Sequence, residues 1–211
     1  MPKAPDERIQ LHHVSNAGEP DAPLVIAFHG TGGDENQFVP LIRQILPQAG
    51  IVAPRGDVSE GGANRFFRRT GEGVYDMADL AQRTKGMAAF AAQVRTEYPR
   101  RPVYGLGFSN GANILVSMLF QQPQLFDRAA LLHPLIPWTP EPQPGLVDKR
   151  VFVSAGTLDP ICPLEQTQSL IDWLAAQGAD LATAIEPGGH QISHEELAAL
   201  NSFMIEESEP T

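Results

Sequence analysis

Five residues, Gly107-Phe108-Ser109-Asn110-Gly111, have the form G-x-S-x-G. An apolar run from Val103 to Leu106 precedes them, and a helical pattern from Gly111 to Gln121 follows. In that setting the serine sits on a tight strand-to-helix turn, a nucleophile elbow, whose neighbours must be small so that strand and helix can approach. The turn also puts Ser109 at a helix N-terminus, where free N–H groups and the helix dipole favour developing negative charge. The chemistry open to such a serine is attack on an acyl carbonyl. Without the strand and the helix, the same five residues read as a Gly-rich turn that merely joins β to α.

A serine hydroxyl needs a base, and the base needs a carboxylate to orient it. Behind an elbow these partners follow in the order Ser, Asp or Glu, His. Asp159 fits, because it lies just past the apolar run that ends at Ser154. Asp127 and Asp148 precede strands and so fall at the wrong end of a sheet, while Asp172 and Asp180 read as solvated. His190 lies in Pro187-Gly188-Gly189-His190, beyond the last strand pattern and before the last helical one. A Gly-rich loop there can carry an imidazole to the elbow. His194 reads as exposed in the first turn of a helix. His133 ends a strand and approaches the site, but it precedes Asp159, out of order for the base.

Acyl transfer also needs donors for the oxyanion. His29-Gly30-Thr31-Gly32-Gly33 follows the apolar run Leu24 to Phe28, the position of an oxyanion loop. The expected donors are the backbone N–H groups of Thr31 and of Asn110, the residue after the nucleophile, with His29 bracing the loop. The spacing matches neither G-x-G-x-x-G nor a Walker loop with its lysine, so a phosphate cradle is disfavoured. Asn64-Arg65-Phe66-Phe67-Arg68-Arg69 sits in a long segment without regular structure between Pro54 and Tyr75, a length that suggests a pocket wall. Its arginines either attract an anionic substrate or form an exposed basic loop. Phe67, Arg68, His133 and Trp138 are the candidate substrate contacts, and Cys162 is expected to be buried and inert.

The elements that must position these residues alternate. Strand patterns cover Leu24–Phe28, Gly50–Ala53, Pro102–Gly107, Ala129–Leu132, Arg150–Ser154 and, more weakly, Leu181–Ile185, with an antiparallel edge strand over Arg8–Val14. Helical spacing covers Phe38–Leu46, Asp76–Tyr98, Gly111–Gln121, Leu164–Gln177 and Ser193–Ile205, the last opening on a Ser-x-x-Glu capping box. Alternating β and α predicts an α/β fold, a mostly parallel central sheet with helices on both faces. Chemistry in such sheets gathers on loops at the carboxyl ends of the strands. The Pro-rich stretch 134–144 reads as a rigid loop too short to divide domains, and the acidic tail from Glu206 as frayed.

Composition narrows the function classes. The chain has 211 residues, which suits one domain over residues 1–211. Its formal net charge of −10 argues against nucleic acid as a partner, and the Arg65, Arg68, Arg69 group is too small for a nucleic-acid footprint. The single cysteine, Cys162, allows no internal disulfide and no Cys/His zinc pattern, so no metal is expected. The first residues lack the apolar core of a signal peptide, and no apolar run reaches membrane-spanning length. A soluble cytoplasmic protein is the expectation.

Taken together, His29-Gly-Thr-Gly-Gly-Asp-Glu35, Gly107-Phe-Ser-Asn-Gly111, Thr157-Leu-Asp-Pro160 and Gly189-His190 resemble the phospholipase/carboxylesterase family of α/β-hydrolases, which includes the acyl-protein thioesterases. The segment from Arg65 to Asp76 is similar to a bacterial subgroup of small carboxylesterases, loosely called dienelactone-hydrolase-like and in part associated with quinone stress. The resemblance implies an α/β-hydrolase fold without a large cap domain and a Ser109–Asp159–His190 triad. It implies oxyanion donors at Thr31 and Asn110, no cofactor, a small acyl or aryl ester as substrate, and a homodimer. Asn110 stands where thioesterase relatives often carry Gln, and Ser109 where dienelactone hydrolases proper carry Cys. Both departures favour a general carboxylesterase over thioester or lysophospholipid hydrolysis. With all three triad members present, a non-catalytic binding module on the same fold is the least favoured reading.

Overall fold

Leu24–Phe28, Gly50–Pro54 and Arg128–Leu132 are buried along their whole length, as continuous apolar runs must be when helices cover both faces of a parallel sheet. The computed structural model describes residues 11–206. In chain order its elements are β1 (His13–Asn16), β2 (Leu24–Phe28), α1 (Val39–Ile45), β3 (Gly50–Pro54), β4 (Val58–Glu60), β5 (Ala63–Arg65), β6 (Arg69–Gly71), β7 (Val74–Tyr75), α2 (Met77–Glu97), β8 (Val103–Phe108), α3 (Asn110–Gln121), β9 (Arg128–Leu132), β10 (Arg150–Gly156), α4 (Leu164–Ala176), β11 (Asp180–Glu186) and α5 (His194–Ile205). Seven strands form the main sheet in the order β1-β3-β2-β8-β9-β10-β11. β1 runs antiparallel to β3, and the other pairings are parallel. This is an α/β-hydrolase architecture without a cap domain among the described residues.

Successive side chains of each strand point to opposite faces, and two apolar clusters result. Leu24, Ile26 and Phe28 pack with α2, α3 and α4 on one face, whereas Val25 and Ala27 pack with α1 and α5 on the other. Every residue of α3 from Asn110 to Leu119 is buried, as expected of a helix that is apolar nearly all round. Ser193 caps α5 as the sequence predicts: its side chain accepts from the Glu196 N–H, and the Glu196 side chain accepts from the Ser193 N–H. Among the described residues, no helix is long and apolar enough to cross a membrane.

Two expectations are corrected. The antiparallel edge strand exists, but over His13–Asn16 and paired to β3; residues 8–10 of its expected span, and the tail after Glu206, lie outside the described residues. The segment between Pro54 and Tyr75 is not irregular. It folds into two small antiparallel ribbons, β4 with β5 and β6 with β7. Strands of two or three residues are too short to show an alternating pattern, so spacing does not reveal them.

Candidate active site

β8 is the fourth of the seven strands, so the turn after it lies at the centre of the carboxyl edge. Ser109 occupies that turn with φ 52° and ψ −117°, in the left-handed region that non-glycine residues avoid at a cost of about 1–3 kcal/mol. Its N–H donates to the Leu132 carbonyl at 2.8 Å and its carbonyl accepts from the Asn113 N–H at 2.9 Å, so both neighbouring elements hold the strained residue. The flanking glycines are required by close approach. A Cβ on Gly111 would stand 2.1 Å from the Phe28 carbonyl oxygen, and one on Gly107 would stand 2.5 Å from that of Gly111.

Loops after three other strands converge on this turn. His190, beyond β11, brings Nε2 within 2.9 Å of Ser109 Oγ, and its Nδ1 lies 2.7 Å from Asp159 Oδ2. With Nδ1–H donating to the carboxylate, Nε2 is free to accept the serine proton. Asp159, beyond β10, is buried, and its Oδ1 accepts from the N–H groups of Ile161 and Cys162 at 2.8 and 2.9 Å. Burial works to raise the Asp159 carboxyl, but the Cys162 N–H, the His133 and His190 rings and the Ile161 N–H outweigh it and hold the group below its ordinary value. Asp159 therefore stays ionised beside the imidazole.

Thr31 follows β2 and lines the same cavity as Ser109, Asn110 and His190. Asn110 is the first residue of α3, so its N–H has no acceptor within the helix. The loop that carries Thr31 is firmly held. His29 Nδ1 donates to the Gly30 carbonyl at 2.7 Å and its Nε2 accepts from the Gly56 N–H at 2.9 Å. Burial first of all keeps this ring below the ordinary imidazole value, and so neutral. That bracing part is the one expected of His29.

The cavity holds about 280 Å³. Part of its wall comes from the ribbons, with Arg65, Arg69, Glu72 and Tyr75 among the lining residues. Arg65 is almost fully buried, and its Nη1 donates to Thr31 Oγ1 at 2.8 Å. Arg65 and Arg69 share the carboxylate of Glu60, at 3.2 and 2.8 Å, and Glu72 adds a further acid to the wall. Tyr75 joins the two sides: its hydroxyl donates to the Leu135 carbonyl and accepts from Asn113 Nδ2, both at 2.8 Å. Neither Tyr75 nor Asn113 stands out in the sequence, because their partners lie far along the chain.

The four candidate substrate contacts do not line this cavity. Phe67 turns inward and packs edge-on against Tyr75, with ring centres 4.8 Å apart. Arg68 points to solvent, and its backbone N–H donates to Asp79 at the start of α2. Trp138 meets the outer side of Tyr75 at 6.0 Å and lines a separate groove with Met77, Leu80 and Phe120. His133 is buried behind Asp159 and bonds to it. On the ribbon side, Arg65, Arg69 and Tyr75 line the cavity in place of Phe67, Arg68 and Trp138. Of the rival residues, His194, Asp148, Asp172 and Asp180 are exposed, and Asp127 accepts from the Val103 N–H at the amino end of β8. Cys162 is buried, burial raises its thiol above the ordinary value, and its Sγ donates to the His133 carbonyl at 3.3 Å. His133, Asp159 and His190 bring potential metal ligands within 4.8 Å of one another. Their direct N···O contacts of 2.7 and 2.8 Å are hydrogen bonds, with no gap for an ion whose own bonds would each span about 2.0–2.2 Å.

Comparison with known proteins agrees with this architecture. Residues 11–194 match the model of the dienelactone hydrolase family. MhqD of Bacillus subtilis (strain 168) is 37% identical over 189 residues, 88% of this chain and 94% of that one. A protein of unknown function from Agrobacterium tumefaciens superposes with a TM-score of 0.86 at 52% identity, covering 92% of this chain and 95% of its own. A carboxylesterase from Bacillus cereus superposes with a TM-score of 0.85 at 34% identity, covering 92% and 93%. The chain belongs to the dienelactone hydrolase family of α/β hydrolases, and is a hydrolase of the dienelactone hydrolase and carboxylesterase type.

Proposed function

We propose that this protein is a serine carboxylesterase that hydrolyses small acyl or aryl esters through an acyl-enzyme. One observation carries the reading: a strained serine, lining a small cavity, whose Oγ lies 2.9 Å from an imidazole that is itself 2.7 Å from a buried carboxylate. Ser109 Oγ attacks the ester carbonyl as His190 Nε2 takes its proton. The carbonyl oxygen becomes an oxyanion, received by the N–H groups of Thr31 and Asn110. Asp159 holds the imidazole in the right tautomer and stabilises its charged form. The tetrahedral intermediate collapses, and His190 returns the proton to the departing alcohol. Water then attacks the acyl-enzyme with the same groups in the same roles, releasing the acid and restoring Ser109.

The size of the cavity supports short acyl groups over long lipid chains. A small neutral ester tests the reading. Wild type should hydrolyse p-nitrophenyl acetate and butyrate, and Ser109→Ala should lose about three or more orders of magnitude in turnover. Undiminished activity in the variant would sink the proposal.

A further inference from the structure

Asp159 does not serve His190 alone. Its Oδ2 contacts two imidazoles, His190 Nδ1 at 2.7 Å and His133 Nδ1 at 2.8 Å. The other ring nitrogen of His133 lies 2.9 Å from Glu196 Oε2. His133 and Glu196 are both fully buried. The backbone at His133 has φ 50°, the same left-handed strain as at Ser109, and the residue sits at the end of the next strand along the carboxyl edge. Such strain persists where the surroundings require the side chain. The surroundings are specific. The His133 N–H donates to the Ser154 carbonyl at 3.0 Å, and its carbonyl accepts from Cys162 Sγ.

A neutral imidazole has one N–H and one lone pair. Placed between two ionised carboxylates, it would turn its lone pair on an oxygen. Only the imidazolium donates to both. We propose that His133 is held as a cation between Asp159 and Glu196, and that this buried acid–cation–acid row sets, through Asp159, how strongly His190 draws the serine proton. The inference rests on the triad reading above. Asp159 and Glu196 face His133 from the loop after β10 and from α5, and the titratable neighbours among the described residues are His190, with ring centres 5.3 Å apart, and the Cys162 thiol. Burial alone would lower His133, yet the hydrogen bonds it donates to Glu196 and Asp159 hold it above the ordinary imidazole value. Burial would raise Glu196, and His133, with the Ser154 hydroxyl and the Ser193 N–H, outweighs it and holds the group below its ordinary value.

His133 and Glu196 are positioning residues: neither lines the cavity, and both act through Asp159. The cation at Asp159 weakens the field that the carboxylate exerts on His190. Removing it should make His190 hold a proton more firmly, so that the enzyme loses its free base at a higher pH. Glu196→Gln removes the His133 cation together with the more distant Glu196 anion, and the cation, nearer to His190, dominates. Glutamine at that place still accepts from the Ser193 N–H and completes the capping box. Its amide then faces His133 as a donor, which leaves the ring neutral.

The test is the pH dependence of kcat/KM for p-nitrophenyl acetate in wild type and Glu196→Gln. The acid limb of the variant should move up by about one pH unit. A limb that stays in place, or moves down, in a folded and active variant overturns the proposal and leaves Glu196 a structural cap. Should the variant fail to fold or to turn over, nitrogen-15 NMR of histidine-labelled wild type decides. At pH 8 the His133 ring should show both nitrogens protonated, and a neutral tautomer overturns the proposal. Neither result is confused with failure of the triad, which Ser109→Ala reports separately.

Discussion

The two sides of the cavity are built differently. One side is the carboxyl edge of the sheet, where Ser109, His133, Asp159 and His190 each follow a different strand. There the side chains are tied by hydrogen bonds of 2.7 to 2.9 Å, two residues carry left-handed strain, and the acids are buried. The other side is the pair of ribbons between β3 and α2, made of strands two or three residues long. It presents Arg69 and Glu72, partly or fully open to water, around a buried Arg65. Chemistry needs fixed geometry, and the strands of a parallel sheet supply it. Choosing among substrates needs only shape and charge, which a ribbon can change without disturbing the sheet.

This contrast breaks if the two sides respond alike to substitution. The largest effect is expected on the sheet side. Asp159→Asn should lower kcat for p-nitrophenyl butyrate by about 10⁴-fold, since a carboxamide no longer fixes the tautomer of His190. A loss of tenfold or less would show that the carboxylate is not needed. Gly111→Ala should cost about 3–5 kcal/mol of stability in urea unfolding, because its new methyl would meet the Phe28 carbonyl at 2.1 Å and neither backbone can retreat.

Tyr75 joins the sides and should fall between them. Tyr75→Phe leaves Asn113 Nδ2 and the Leu135 carbonyl without their partner, a loss of about 1–3 kcal/mol. On the ribbon side, Arg69→Ala should change kcat for neutral esters by less than about threefold, since a partly exposed ion pair contributes little. Its effect should appear in the ratio of kcat/KM values for an ester bearing a terminal carboxylate and its neutral analogue, which should fall.

The smallest effect concerns the loop after β2 that carries Thr31. The Arg55 guanidinium, 2.7 Å from Glu35 at one contact, holds that carboxyl at about 2, against burial. A lowered carboxyl adds stability that is complete above its ordinary value and is lost as pH falls through the folded value. The stability difference between wild type and Glu35→Gln should therefore be constant above about pH 5 and shrink toward pH 2. A difference that grows on acidification would contradict the pairing.

The same contrast governs what could be read from the residues alone. The sheet side was largely legible. Leu24–Phe28 and Arg128–Leu132 are apolar throughout because both faces are covered, and the loop positions of Asp159 and His190 follow from strand order. The ribbon side was not. Short strands leave no periodicity, so the inward turn of Phe67 and the outward turn of Arg68 cannot be separated by spacing. His133 shows a second limit. Its place at a strand end was readable, but its bonds reach residues 26 and 63 positions away. Glu196 reads correctly as a helix cap, and nothing local signals that its second oxygen faces a histidine.

The central claim is that Ser109 is the activated nucleophile, and covalent capture tests it most directly. Wild type treated with a fluorophosphonate probe and mapped by mass spectrometry should carry the adduct on Ser109 alone. His190→Ala should slow the labelling by about three orders of magnitude, since no base then takes the proton. An adduct on any other residue, or equal labelling rates in the two proteins, would contradict the account.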